Sequence, residues 1–238
     1  MLHYGLIGKK LGHSFSPDYF AAKFRNEQIN ADYTAYETDD IAHLPDWDGW
    51  NVTIPYKQEI IPHLDMLDDA AWEIGAVNVV KRQDNLTIGY NTDWIGFVRS
   101  IRPLLSPSDR KALVLGTGGV AQAVAYGVKR LGLEFTMVSR KSDETRHILG
   151  YGDLEETVIR EHSVIINCTP LGMYPDINHQ PDIPYMQIGR QHLLFDCIYN
   201  PEETRFLRHG REAGARTKNG YEMLIIQAEE AWKIWNEK

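Results

Sequence analysis

Two side chains in the N-terminal part of the chain have the types needed to move a proton. They are Lys57, in Asn51-Val52-Thr53-Ile54-Pro55-Tyr56-Lys57, and Asp93, in Asn91-Thr92-Asp93. An ammonium in reach of an alkoxide supplies its proton. Burial lowers a lysine pKa and a nearby carboxylate raises it, so the pair suits a positioned proton donor. Ser14, Asn51, Thr53, Asn78 and Asn91 accompany them. Neutral hydrogen-bonding groups with one cation and one carboxylate fit a polyhydroxylated substrate. Plainer roles also exist: Lys57 as an exposed lysine, Asp93 as the cap of a helix over 94–101, and Ser16 before Pro17 as a helix start.

A second constellation is Leu-Val-Leu-Gly-Thr-Gly-Gly-Val-Ala over 113–121. A short apolar run stops at Gly116, Gly118 and Gly119, and from Val120 and Ala121 a helical pattern begins, closed by Gly132. The spacing fits a dinucleotide turn. Its first glycine makes the turn, its second lets backbone approach a pyrophosphate, and its third small residue lets helix and strand pack. The helix start offers free N–H groups and a positive dipole end to the phosphates. A plain structural turn has the same composition, so context must decide.

The next strand, over 133–138, ends in Ser139-Arg140-Lys141-Ser142. A chain made for NAD places Asp or Glu there for the ribose hydroxyls. Two cations and two hydroxyls suit the 2′-phosphate of NADP, unless the turn is merely a solvated basic one. Beside an NADP domain, the implied chemistry is oxidation of an alcohol or reduction of its ketone.

These groups need an α/β frame. Strands are expected over 2–8, 32–37, 50–54, 76–81 and 86–90, and helices over 16–26, 65–74 and 94–101. Val52 and Ile54 would share one strand face, with Asn51 and Thr53 on the other. Pro103, Ser106, Pro107 and Ser108 resemble a linker between domains. Strands over 112–115, 133–138, 163–168, 192–198 and 215–218 follow, then a final apolar helix over 221–235.

Composition excludes several classes. A formal net charge of −8 with no Lys/Arg stripe argues against nucleic acid or an anionic membrane. No apolar run spans a bilayer and no signal peptide is indicated, so a soluble, cytoplasmic protein is expected. Cys168 and Cys197 read as small buried hydrophobes, and the nine histidines lack ligand spacing, so no metal is expected.

The stretches Ser14-Phe15-Ser16-Pro17, Asn51 through Lys57, Gly75-Ala76-Val77-Asn78 and Asn91-Thr92-Asp93 resemble the substrate-domain motifs of the shikimate dehydrogenase family. Gly116-Thr117-Gly118-Gly119, Asn167-Cys168-Thr169-Pro170-Leu171-Gly172-Met173, 196–201 and 220–227 continue the resemblance in the family's order. It covers nearly the whole chain. It implies a two-domain α/β fold, with residues 1–102 plus 219–238 binding substrate and 103–218 forming a Rossmann-like NADP domain. The C-terminal helix is expected to pack back on the substrate domain.

The implied reaction is reversible reduction of 3-dehydroshikimate by NADPH, a step of chorismate and aromatic amino-acid biosynthesis, with Lys57 and Asp93 as the acid–base pair. Ser14, Ser16 and Tyr199 match positions that hold the substrate carboxylate. Thr53, Asn78 and Gln227 match positions near its hydroxyls, where Asp93 also contacts it. Gly116, Gly118, Gly119, Val120, Ala121, Ser139, Arg140, Lys141, Thr169 and Gly220 match the cofactor site. A monomer or homodimer with a small-molecule substrate follows.

Two departures stand out. Ser139-Arg140-Lys141 replaces the family's usual Asn-Arg-Thr, and the segment over 143–161 is short, so a helix of the adenosine side, and a strand beside it, are expected to be reduced. Quinate or dual-specificity dehydrogenase, and a non-catalytic NADP-binding sensor, are the alternatives.

Overall fold

The computed structural model describes residues 1–12 and 14–237, and these divide into two compact units: 1–92 with 228–237, and 93–227. The first holds β1 (Leu2–Gly8), α1 (Phe15–Asn26), β2 (Ala31–Glu37), β3 (Gly49–Val52), β4 (Met66–Leu67), α2 (Asp69–Ile74), β5 (Val79–Gln83) and β6 (Leu86–Tyr90). Its sheet runs β2-β1-β3-β5-β6-β4, with β5 antiparallel to both its neighbours. The β5–β6 turn places Asp84 and Asn85 at positive φ, the backbone that a two-residue hairpin needs.

The second unit holds α3 (Asp93–Ile101), β7 (Lys111–Leu115), α4 (Gly119–Arg130), β8 (Glu134–Ser139), β9 (Ile148–Gly150), α5 (Glu156–Glu161), β10 (Val164–Asn167), β11 (Leu193–Asp196), α6 (Arg205–Glu212) and β12 (Arg216–Lys218). Its six strands are all parallel in the order β12-β11-β10-β7-β8-β9. This is a doubly wound sheet whose order reverses at β7, the strand that feeds the glycine turn. Both faces are covered: Ala112, Val114, Val164, Ile166 and Phe195 pack with α3 and α4. Leu113, Leu115, Ile165 and Leu194 pack on the other side with Ile159 of α5 and Phe206 of α6. The alternation follows from the period-2 geometry of a strand.

The last helix, α7 (Tyr221–Asn236), continues from one unit into the other. In the first unit its Ala228, Ala231 and Trp235 pack with Tyr4, Phe20 and Phe24. The Trp235 indole stacks on Tyr4 at 4.7 Å and donates from Nε1 to the Val80 carbonyl at 2.9 Å. Gly49 makes this approach possible, because a Cβ there would lie 2.5 Å from the Trp235 ring.

The compact units do not coincide with the expected domains: the chain divides before Asp93, where a boundary at 102/103 is expected, and at Gln227/Ala228, where 218/219 is expected. The reason is packing: α3 lies against α4, with Trp94 edge-on to Tyr126 and Gly127 closed against Phe97. The Pro/Ser segment is no free linker, because buried Asp109 accepts from Ser106 N–H and Ser163 Oγ and pairs with Arg216. The helix expected over 65–74 is a short strand and then α2, capped by Asp68, whose carboxylate accepts from Ala71 N–H at 2.9 Å. Strand β3 stops at Val52, and Ile54 is 63% exposed rather than facing the core beside Val52.

Candidate active site

In the first unit chemistry-bearing residues gather at one end of the central strands β1, β3 and β5. The carboxyl ends of β1 and β3 lie together, with Thr53 N–H donating to the Ile7 carbonyl at 2.9 Å. Because β5 runs the other way, its start meets them there, and Val52 N–H donates to the Asn78 carbonyl at 2.9 Å. Asn78 is buried and its amide is doubly held: Oδ1 accepts from Thr92 N–H at 2.7 Å and Nδ2 donates to Thr92 Oγ1 at 3.0 Å. Asn91 is buried beside it and donates to the Ala76 carbonyl. Lys57 is half-buried on the turn after β3, and its carbonyl accepts from Val77 N–H at 2.7 Å, one residue before Asn78.

Ser14, not Ser16, occupies the N-cap of α1, and its side chain makes no capping bond. Ser16 lies within the first turn, buried, with its hydroxyl in reach of the Tyr33 phenol. Tyr33 in turn donates to Asn51 Oδ1 at 2.7 Å, and burial raises its phenol well above the ordinary value. The serine pair therefore has no capping duty to explain it.

Asp93 opens α3 and is only 5% exposed, although acidic residues at helix starts are usually solvated. Tyr199, half-buried, follows β11, and Gln227, buried on α7, donates Nε2 to the Leu224 carbonyl at 2.9 Å. These three belong to the second unit. Ser14, Ser16, Thr53, Lys57 and Asn78 belong to the first.

The second unit presents its strand ends as a nucleotide site. Gly116 takes φ +116°, and a Cβ there would approach the Cys168 carbonyl at 3.3 Å, so the turn requires glycine. Gly118 is the N-cap of α4 with no side-chain cap, and a Cβ on it would meet nothing within 4 Å. That open, uncapped helix start is the cradle a pyrophosphate needs, and Val120 and fully buried Ala121 seat the helix behind it. At the end of β8, Ser139 is half-buried while Arg140 and Lys141 are exposed. The nearby carboxylate of Asp143 is turned to Thr145 and Arg146 N–H, and the Thr145 hydroxyl bond holds it below the usual carboxylate range. The residues present fit NADP.

The shortened segment is now defined. Only residues 140–147 link β8 to parallel β9, with a 3-10 turn over Glu144–Arg146 in place of a crossover helix. The strand survives with three residues.

Gly220 has a packing reason independent of any ligand, since a Cβ there would lie 2.3 Å from the Cys197 carbonyl. Cys168 and Cys197 are half-buried rather than buried, and their Sγ atoms lie 3.7 Å apart. The bond between the thiols and burial both push the Cys197 thiol up.

Residues that local patterns overlook are Asn167 and Asp196, both with no exposure. Asp196 Oδ1 accepts from Asn167 Nδ2 at 3.1 Å and Ile198 N–H at 3.0 Å, and Oδ2 from Thr204 Oγ1 at 2.6 Å. Burial nevertheless raises its carboxyl to about 7. An Asp inside the apolar run Leu-Leu-Phe-Asp-Cys is the one sequence signal for it.

Comparison with known proteins bears on the whole chain. A family model described as the shikimate dehydrogenase substrate binding domain matches residues 6–80. A shikimate dehydrogenase (NADP(+)) of Clostridium beijerinckii is 37% identical over 254 residues, covering 100% of this chain and 93% of its own. A shikimate dehydrogenase structure in complex with NADP+ superposes with a TM-score of 0.91 at 32% identity, over 99% of this chain and 90% of that one. A quinate dehydrogenase from Corynebacterium glutamicum in complex with NAD gives 0.88 at 28% identity, over 99% and 93%.

Proposed function

The chain belongs to the shikimate dehydrogenase family, and from that membership we infer that Lys57 and Asp93 carry the proton transfers of its reaction. The enzyme interconverts 3-dehydroshikimate and shikimate with NADP as the redox partner. The nicotinamide, when bound, supplies or accepts the hydride.

In the reducing direction Lys57 gives a proton to the oxygen that becomes the alcohol, and in the oxidising direction it takes that proton back. Asp93 holds the ammonium and the hydroxyl in line. Ser14, Ser16 and Tyr199 bind the substrate carboxylate, and Thr53, Asn78 and Gln227 bind its hydroxyls. Gly116 to Ala121 seat the pyrophosphate, Ser139, Arg140 and Lys141 bind the 2′-phosphate, and Thr169 and Gly220 border the cofactor.

The observation that carries these roles is the pinning of Asn78 by Thr92, the residue before buried Asp93. It holds the backbone of Thr92, the residue that leads into α3. A reducing, cytoplasmic setting fits two free thiols in contact. Among the described residues no helix is long and apolar enough to cross a membrane.

Quinate is the competing substrate, because a quinate dehydrogenase shares the fold at a TM-score of 0.88. The test offers NADP+ or NAD+ with shikimate or quinate and follows the reduced nicotinamide. Turnover is expected with shikimate and NADP+. Preference for quinate replaces the substrate assignment, and no turnover with any pair leaves a binding protein and removes the enzyme.

A further inference from the structure

Thr169 and Tyr199 stand on different loops, yet both loops are tied to one buried carboxylate. Strands β10 and β11 are parallel with Asn167 opposite Asp196 in register. One strand end leads to Thr169 and the other to Tyr199. The Asn167 amide spans them: Oδ1 accepts from Thr169 N–H at 3.0 Å and Thr169 Oγ1 at 2.7 Å, while Nδ2 donates to Asp196 Oδ1 at 3.1 Å.

The orientation of that amide is fixed by its partners. A backbone N–H needs an acceptor and a carboxylate needs a donor, so only one of the two amide flips satisfies both. Thr169 Oγ1 then accepts from Leu171 N–H at 3.3 Å, carrying the order one step along the loop. On the other side, Asp196 Oδ1 takes Ile198 N–H, the residue before Tyr199. Its second oxygen takes Thr204 Oγ1, the N-cap of α6, which itself accepts from Leu207 N–H.

A carboxylate with no exposure is costly, and a hydrophobe of similar size would fill the same space without that cost. Its position is best explained by the two loops that it aligns. We propose that Asp196 is a positioning residue which, through Asn167, sets the loop of Thr169 against the cofactor and, through Ile198, sets the loop of Tyr199. This rests on the assignment of Thr169 and Tyr199 to cofactor and substrate.

The test measures NADP+ dissociation constants by calorimetry on the full-length enzyme, beside melting curves. Asn167→Ala and Asp196→Ala should each weaken NADP+ by about tenfold or more, the effect of losing a hydrogen bond to a charged group. Asp196→Asn keeps one oxygen for Asn167 and Ile198 and turns an amide to Thr204, so it should restore binding to within about threefold of the parent. Thr204→Val keeps the side-chain shape but loses the bond to the second carboxylate oxygen, at the α6 end of the Tyr199 loop, and leaves Oδ1 to Asn167 and Ile198. It should lower the melting temperature and leave the NADP+ constant unchanged.

A folded Asn167→Ala enzyme with parental NADP+ affinity overturns the proposal, as does Thr204→Val weakening NADP+ equally. An Asp196→Asn enzyme as weak as Asp196→Ala does so too. Should Asp196→Ala fail to fold, Asn167→Ala and Asp196→Asn decide the matter. A parent that binds NADP+ but turns over neither shikimate nor quinate removes the function and leaves the positioning role testable. A parent that does not bind NADP+ removes both.

Discussion

Asn78 and Thr92 hold each other by two hydrogen bonds, one from the Thr92 backbone N–H at 2.7 Å and one to its hydroxyl at 3.0 Å, and Asp93 follows directly. Thr92→Val keeps the shape and the backbone bond but removes the hydroxyl to which Asn78 Nδ2 donates. Loss of one buried hydrogen bond costs about 0.5–1.5 kcal/mol. The variant should lose about threefold to tenfold in kcat/KM for shikimate along with some thermal stability. Steady-state kinetics with unchanged kcat/KM would detach this pair from the placement of Asp93.

Removal of the proton donor should act on the chemical step. Lys57→Ala is expected to lower kcat by about a hundredfold or more, the usual worth of a positioned acid–base group, with little change in the KM for shikimate. Initial rates in both directions read this out. A kcat equal to the parent's takes Lys57 out of the chemistry.

Cofactor choice should follow the basic turn after β8. Arg140→Ala is expected to raise the KM for NADP+ by about tenfold to a hundredfold, as loss of a charge-assisted bond predicts, and to leave that for NAD+ almost unchanged. The Arg140 side chain is exposed, and melting curves beside the kinetics separate cofactor binding from stability. An equal loss with both cofactors would sink the 2′-phosphate role.

Asp196 should leave a mark on stability against pH. Its carboxyl titrates near about 7 in the folded enzyme and in the ordinary acidic range, about 4, once unfolded. The folded state therefore holds a proton that the unfolded state releases between those values, and stability falls as pH rises through that window. The contribution is present in full below about 4 and is lost by the time pH passes 7. Melting temperatures of the parent and Asp196→Asn, measured from acid to mild alkali, should diverge across this window, with the variant gaining at the alkaline end. Parallel curves would refute the shift.

Much of the second unit was legible because parallel strands buried on both faces are continuous apolar runs, and each ends at a visible turn. The glycine turn, the basic turn and all five strands expected there appear in place, with ends moved by one or two residues. The first unit was harder to read. Helix α1 starts one residue early, with Ser14 rather than Ser16 at its N-cap position, and a two-residue edge strand has too few residues to show a period. The Pro/Ser segment has the composition of a linker, and only the burial of Asp109 under Arg216 shows that it is tied down. Composition also hides Asn167 and Asp196, whose importance lies in a pairing of residues 29 apart in sequence.

The brief link between β8 and β9 shapes the outer edge of the second unit's sheet. A sheet must end somewhere, and an exposed outer strand is a template on which a second chain can pair. Here the outer strand is three residues long, entered through a tight turn in which Asp143 and Ile148 exchange both backbone hydrogen bonds. The chain leaves it at once into a 3-10 turn at Tyr151–Asp153. Charged Arg140, Lys141, Asp143, Glu144 and Arg146 crowd the approach. An edge this short and this charged offers little template to a foreign strand, so the link that turns the chain without a helix also blunts the rim of the sheet.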